Sequence, residues 1–348
     1  MNPSISVVIV THNRSAFIGR CIASVKEQTC VDRIEVIVVD NASKDSSVDI
    51  IKSMLGGMNS RVVENQKNAG YGGGLNAGFA AARAEWVLGL ADDTWLEPDF
   101  LEQLVKYAEL KNADAAVPSM CEYNRDVPVP NGPEGFDISA RATFAKTDSD
   151  PFCTKDTTRD CFYVGGNAFL MKRSVFMAIG GYDETFYRCA DEDEISWSLW
   201  TAGYSCIFVP SAKFHHRDGT DWAMKDDSRF YIVRNTMTVL LEYSQFWLFA
   251  CVPIQVALLL MEAVFMWIFR WNAKMVWQAY VKGLVGVLPR FPHIMAQRKK
   301  IRLRRKRGDW WMIKKFMRLR INRLDQLLSN KPAKISVQPV AGQPPQGT

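Results

Sequence analysis

Four places in this 348-residue chain gather residues able to do chemistry. Val10-Thr11-His12-Asn13-Arg14 and Val39-Asp40-Asn41-Ala42-Ser43 each close an apolar run with polar side chains. Polar clusters at two successive strand ends suit a pocket for a base or ribose, although Asn, Asp and Ser also make turns there. Between Asn68 and Gly78 stand Gly70, Gly72, Gly73, Gly74 and Gly78, whose backbone permits close approach of a ligand. Asp92-Asp93 ends a further apolar run; adjacent carboxylates need a cation or donors, and their hard oxygens suit Mg2+ or Mn2+ holding a diphosphate, the bland reading being a helix cap. Finally, Asp191-Glu192-Asp193-Glu194 opens a helical pattern. A helix dipole accounts for part of that charge, and one carboxylate beside a cleft could take a proton from a hydroxyl. His215-His216 offers a single metal ligand or a solvated pair.

Other chemistries fit poorly. Gly72, Gly74 and Ala77 satisfy a loose GxGxxA pattern, but it follows the third strand rather than the first, which argues against a nicotinamide-dependent oxidoreductase. No GKS or GKT follows the glycines, which argues against a P-loop nucleotide hydrolase. Four histidines limit metal chemistry, and eight cysteines without a CxxC pair point to a reducing compartment. The opening MNPSISVVIVTHNR lacks a basic leader pattern, so the catalytic part is expected to begin in the cytosol.

The elements that must position these residues follow an α/β pattern. Residues 5–10 and 35–39 are β-branched runs apolar on both faces, separated by Ile18, Ile22 and Val25 at helical spacing: a βαβ opening with parallel strands. Further strands are expected at 60–64 and 86–90, with helices at 74–83 and 98–110. Residues 122–159, rich in Pro and Gly, read as a long excursion. A return to the sheet follows within 162–171, then helices at 173–179 and 191–202, and a short strand at 206–209 with the two histidines after it.

After about residue 240 the character changes. Residues 246–269 carry Glu262 as their one charge, a length that meets a membrane span while Pro253 and Gln255 detract from it; an interfacial or buried helix pair is the other reading. From 290 to 323 come fourteen Lys or Arg against the single acid Asp309, a local +13 that exceeds the net +6 and leaves the rest of the chain acidic at about −7. The counter-surface expected is an anionic membrane leaflet rather than nucleic acid. Residues 329–348, with Pro332 and further prolines, read as a loose tail.

The ordered set SVVIVTHNR, VVDNASKD, NAGYGGGLNAGF, the strand ending ADDT, GGNAFLMKRSVFMAIGGYDETFY, an acidic helix start running to AGY, and FHHRDGT resembles the family 2 glycosyltransferases of GT-A fold, in particular their bacterial rhamnosyltransferase-like and galactofuranosyltransferase-like branch. The resemblance covers roughly residues 3–240. It implies a single Rossmann-like mixed sheet, mostly parallel, and an inverting transfer from a nucleoside-diphosphate sugar, such as dTDP-rhamnose or a UDP-sugar, to a hydroxyl of a lipid-linked saccharide. It further implies a GT-A unit over 1–240, a membrane-associated helical region over 241–328 on the cytoplasmic face of the membrane, and a tail over 329–348.

Residue by residue, the resemblance puts Thr11, Asn13 and Arg14 on the first nucleotide-binding strand end, Asp40 with Asn41 at the base, and Asn68 and Gly70 facing the nucleotide. Gly166 and Asn167 fall near the sugar and acceptor. Asp93 matches the last aspartate of the DxD-like motif that holds Mg2+ or Mn2+, with Asp92 assisting and Ala91 at the first acidic position. His215 matches the histidine completing the metal site, and Thr220 stands where a serine is usual. The Glu-Asp pair of the family is reversed here to Asp191-Glu192; register favours Glu192 as base, with Asp191 and Asp193 as neighbours. Ser198 stands where an arginine is common. Those departures leave a catalytically impaired nucleotide-sugar-binding relative as the alternative.

Overall fold

The computed structural model describes residues 3–121, 133–137, 142–144, 158–216, 228–270 and 273–317. Most of the 122–159 excursion, Thr220 and the tail lie outside the described residues.

The first half alternates β1 (Ile5–Thr11), α1 (Ser15–Lys26), β2 (Ile34–Asp40), α2 (Ser47–Met54), β3 (Ser60–Glu64), α3 (Gly70–Ala81), β4 (Trp86–Ala91), β5 (Thr94–Leu96), α4 (Phe100–Leu110) and β6 (Ala115–Cys121). Two strands, β7 (Pro133–Phe136) and β8 (Ala142–Phe144), pair antiparallel with each other. Then come β9 (Arg159–Asp160), β10 (Ala168–Lys172), α5 (Arg173–Ile179), α6 (Asp191–Thr201), β11 (Cys206–His216) and α7 (Ser228–Tyr243). The nine-stranded sheet is ordered β3-β2-β1-β4-β10-β6-β11-β5, with β9 against β11. Strands β3, β2, β1, β4, β6 and β11 run one way; β10, β5 and β9 run the other, so the sheet is mixed rather than purely parallel.

Alternation along β1 and β2 divides the core in two, because successive side chains of a strand point to opposite faces. Val7, Ile9, Val36 and Val38 join α1, α2 and α4 on one face, while Val8, Val10, Ile37 and Val39 join α3, α5, α6 and α7 on the other.

Past Tyr71 the glycine-rich segment departs from its expected reading as a ligand-facing turn. It is the first half of α3, which starts at Gly70 and lies directly on β1. A Cβ at Gly74 would stand 2.4 Å from Val10 Cγ1, and one at Gly78 2.1 Å from Val8 Cγ1. Helix-on-strand contact at this distance tolerates no side chain, so these glycines serve packing.

The C-terminal helices share the second core rather than forming a separate one: Leu259, Tyr280, Ile294, Ile301, Met312 and Phe316 are buried with the residues of α6 and α7. They comprise α8 (Phe246–Phe249), α9 (Cys251–Arg270), α10 (Ala273–Met275), a π-helical turn Val276–Val281, α11 (Lys282–Val285), α12 (Phe291–Arg304) and α13 (Asp309–Phe316). Glu262, the lone charge of the apolar stretch, accepts a hydrogen bond from Tyr280 at 2.6 Å. Phe246–Ile268 is long and apolar enough to cross a membrane, and only 22% of it is buried inside the protein.

The basic segment does more than face outward. Arg298 donates to Leu241 O and Arg305 to Tyr243 O, at the end of α7. Arg304 reaches Ile179 O at the end of α5 and the Ser198 hydroxyl at 2.7 Å, and Arg307 meets Tyr204 O at 2.6 Å and Gly203 O at 2.9 Å, just past α6. Cations at helix C-termini satisfy orphan carbonyls and oppose the negative end of the helix dipole. Among the described residues, the expectation that this run serves a membrane surface falls on its exposed members, Lys299, Lys300, Arg302, Lys306, Lys314 and Lys315, the last of which is paired with Asp160.

Candidate active site

The C-terminal ends of β1, β2 and β4 meet at one edge of the sheet, where parallel-sheet proteins collect ligands. Two loops there are laced together. Asn13, in the left-handed region at φ 53°, donates its backbone N–H to Ser43 Oγ at 2.9 Å and accepts from Lys44 N at 2.7 Å. Arg14 N–H donates to Ser47 Oγ at 3.0 Å. Asp40 accepts from Ser43 N at 3.0 Å through Oδ2, while its buried Oδ1 has no partner among the described residues. Asn41 donates to Gly70 O at 2.9 Å, and Asn68 accepts from Gly70 N at 2.8 Å, so the start of α3 is fixed to the end of β2.

These elements enclose a cavity of about 410 Å³. Thr11, His12, Arg14, Asn41 and Asp92 line it from the strand ends, and Asn68, Gly70 and Tyr71 from the start of α3. Gly166 and Asn167 contribute from the loop before β10; Tyr187, Arg188 and Cys189 from the loop before α6; and Asp191 and Glu192 from the first turn of α6. Tyr71 joins two of these groups by donating its hydroxyl to Gly166 O at 3.1 Å. Of the residues singled out in the sequence, Asn13, Asp40, Asp93, Asp193 and His215 do not line the cavity. Asn13 and Asp40 brace its loops instead.

The carboxylates divide by environment. Burial pushes Asp92 up to about 7; the Thr11 hydroxyl, Arg14 and the His12 N–H pull it down, and the Asp93 charge pushes it further up. Burial also opposes ionisation of Asp93, but His216, bonded to it and bearing on it electrostatically, together with Arg14, outweighs that cost and holds its carboxyl below the usual range. Asp191 is buried and Glu192 half-buried beside it in the first turn of α6. Burial raises both, and the Asp191 charge raises Glu192 further, well above the usual range, as expected when two adjacent carboxyls cannot both ionise cheaply. Asp193 is buried off the cavity. Glu194 bonds the Tyr243 hydroxyl within the core, and burial raises it to about 7.

The histidine pair needs correction. Both residues belong to β11 instead of following it, so they point to opposite faces. His216 Nε2 stands 3.3 Å from Asp93 Oδ1. His215 stacks on Trp95 with ring centroids 5.3 Å apart and meets Glu97 Oε1 at 2.5 Å, so His216 and not His215 accompanies Asp93. Ser198, too, is buried and held by Arg304, away from the cavity lining. A separate group, Asp183, Glu242 and His293, brings ligand atoms within 4.8 Å of one another where α7 meets α12, outside the cavity lining, and could hold a cation there.

Sequence reasoning missed Tyr71, Tyr187, Arg188 and Cys189 as cavity residues. Tyr71 sits inside the glycine-rich segment, and the other three directly precede the acidic helix start. Position next to a motif was the one available signal.

Mixed sheet, strand-end cavity and acidic first turn together define a GT-A-like α/β protein. Solved structures agree on the fold: the chain is similar to GalNAc-T7, crystallised with UDP, GalNAc and Mn2+, at TM-score 0.57 and 20% identity over 69% of this chain and 48% of that one. It is similar also to residues 1–349 of Staphylococcus aureus TarS in complex with UDP-GlcNAc, at TM-score 0.55 and 15% identity over 87% and 88%. Among curated sequences, the succinoglycan biosynthesis protein ExoO of Rhizobium meliloti is 31% identical over 118 residues, 34% of this chain and 33% of that protein. Matches to the curated relatives span about a third of their length. Residues 6–180 match the sequence model described as Glycosyl transferase family 2, half of the chain, and the chain belongs to that family.

Proposed function

We propose that the protein is an inverting glycosyltransferase that moves a sugar from a nucleoside-diphosphate donor to a saccharide hydroxyl. The observation that carries this reading is one cavity lined both by the strand-end residues Thr11, Arg14, Asn41 and Asp92 and by the carboxylate pair Asp191 and Glu192. The nucleoside takes the strand ends, with Asn41, Asn68 and Gly70 at the base and ribose. Arg14 faces the diphosphate. Gly166 and Asn167 leave room for the sugar and the acceptor.

The reaction is a single displacement. The acceptor oxygen forms a bond to the anomeric carbon, the bond from that carbon to the diphosphate oxygen breaks with its electron pair leaving on the diphosphate, and the acceptor proton passes to the carboxylate pair, with Glu192 as the receiving group. Burial and the neighbouring Asp191 charge raise the basicity of Glu192, so its ionised form is the competent base. The negative charge that builds on the leaving diphosphate falls near Arg14.

A divalent cation fits the residues present. Asp92 lines the cavity and is buried beside a second carboxylate, with its pKa pushed up to about 7, a situation that a cation relieves; Asp93, paired with His216, lies off the lining. Bound there, Mg2+ or Mn2+ would neutralise charge on the diphosphate.

A lipid-linked acceptor, of the kind used in cell-surface polysaccharide synthesis by the rhamnosyltransferase- and galactofuranosyltransferase-like branch, is supported by the surface of the C-terminal helices. Phe246, Trp247, Leu260, Phe265, Trp267, Trp277, Leu288, Phe291 and Trp310 are all exposed there, next to the outward cations of α12 and α13. Such a surface suits the cytoplasmic face of an anionic membrane.

The test is a panel of nucleoside-diphosphate sugars with Mn2+, scored for binding and for release of the nucleoside diphosphate. Turnover of one donor supports the enzyme. Tight binding of a donor without hydrolysis, and without transfer to any lipid-linked saccharide offered, supports the impaired relative instead.

A further inference from the structure

The loop that delivers Asp191 and Glu192 to the cavity has an unusual backbone. Tyr187, Cys189 and Ala190 all take positive φ, at 62°, 62° and 59°, and none is glycine. Such conformations persist only where surrounding contacts over-determine them. The loop turns Tyr187, Arg188 and Cys189 to the cavity and ends at the first residue of α6.

One side chain accounts for much of what holds it. Asn235, in the middle of α7 and fully buried, directs its amide Nδ2 at three backbone carbonyls of this loop: Phe186 O at 3.2 Å, Arg188 O at 2.9 Å and Cys189 O at 2.8 Å. Two N–H groups thus serve three acceptors. Its Oδ1 accepts from Arg234 Nε at 2.8 Å, which fixes which way the amide faces. A side chain offering donors at one end and an acceptor at the other is required; leucine would supply neither, and aspartate would face three carbonyls with a fourth acceptor. Further ties from α7 run in parallel, with Arg188 Nη2 3.0 Å from Ser228 Oγ and Tyr187 packed against Tyr231.

We infer that Asn235 is a positioning residue: it pins this loop so that Asp191 and Glu192 stand at the cavity in working geometry. The inference rests on the glycosyltransferase reading for its kinetic consequence and on the loop contacts alone for its structural one. Asn235 touches neither the cavity nor a ligand.

The experiment compares the full-length wild type with Asn235→Ser and Asn235→Asp, and with Thr238→Val as a control. Thr238 is equally buried on α7 but bonds only Arg234 O within its own helix. Amide hydrogen exchange without any ligand is expected to accelerate over residues 186–192 in both Asn235 variants, with the β1, β2 and β4 amides as protected as in wild type. Donor turnover is expected to lose about a hundredfold in kcat, as for displaced catalytic groups, with donor KM within about threefold. Thr238→Val should change neither readout. Exchange over 186–192 equal to wild type in both Asn235 variants, or loss spread evenly over the whole chain, would overturn the positioning role. A wild type that turns over no donor would sink the enzyme reading instead, and leaves the exchange result to decide the tether by itself.

Discussion

His216 Nε2 lies 3.3 Å from Asp93 Oδ1, on the opposite side of β11 from its neighbour His215. If this pair belongs to the cation site, His216→Ala should raise the Mn2+ concentration needed for half-maximal donor turnover about tenfold or more. His215→Ala should leave that concentration near wild type, while lowering thermal stability through loss of the Glu97 contact and the Trp95 stack. Titration of activity with Mn2+ after chelation separates the two.

Asp92, raised to about 7, binds a proton across a range where the unfolded chain has released it. Its contribution to stability is therefore most favourable below the ordinary carboxylate range and declines as pH rises from about 4 to about 7. Cation binding runs the other way, because the ion requires the ionised form. Mn2+ affinity measured calorimetrically should rise about tenfold per pH unit below 7 and level off above it, and Asp92→Asn should both weaken binding and flatten the slope.

Glu192 ionises beside the Asp191 carboxylate, so the turnover rate should rise with pH along a limb set by Glu192, above the usual carboxylate range. Removing one charge removes the main electrostatic cause of the Glu192 shift after burial. In Asp191→Asn, the limb should move to lower pH in a pH–rate profile, even though the rate falls.

At the other end of the sheet, Glu35 is a structural carboxylate. Almost fully buried, it accepts from Ser6 Oγ at 2.5 Å, Arg83 N at 2.6 Å and Arg83 Nε at 2.8 Å, with Arg61 at 3.2 Å. Burial opposes its charge, yet these donors hold its pKa below the ordinary value. That stabilisation is fully present above the unfolded pKa and is lost as pH falls through the lower folded value. Glu35→Ala should cost about 2–4 kcal/mol in urea unfolding at pH 7, and less at pH 3.

Exposed aromatic and aliphatic residues of α9, with Trp267 foremost, should enter lipid. Cosedimentation with anionic vesicles is expected, weakened by Trp267→Ser combined with Phe265→Ser; protein that stays in the supernatant at low salt would count against the membrane-associated surface.

What could be read in the sequence was whatever local pattern decides. Strands β1 and β2 are apolar on both faces, and burial of every residue in both follows from that. The polar strand ends were legible for the same reason, since a parallel sheet offers them nowhere else to go. Gly74 and Gly78 of α3 were misread because composition cannot distinguish room for a ligand from room for a strand: the 2.4 Å gap between a Cβ at Gly74 and Val10 decides it there. The histidine assignment turned on strand length: β11 runs on to His216 instead of ending at residue 209, and its alternation turns His216 rather than His215 to Asp93. Arg298, Arg304, Arg305 and Arg307 looked like surface charge because their acceptors, backbone carbonyls 57 to 125 residues away, leave no trace in a charge count. Asn235 carried no motif signal of its own.

The central claim is that the carboxylate pair at the cavity takes the acceptor proton. Steady-state turnover of the best donor and acceptor, set beside nucleoside-diphosphate binding, tests it in the Glu192→Gln and Asp191→Asn/Glu192→Gln variants. The expected result is a loss of about a hundredfold to ten-thousandfold in kcat with nucleotide affinity retained. A double variant that transfers sugar at the wild-type rate would contradict it.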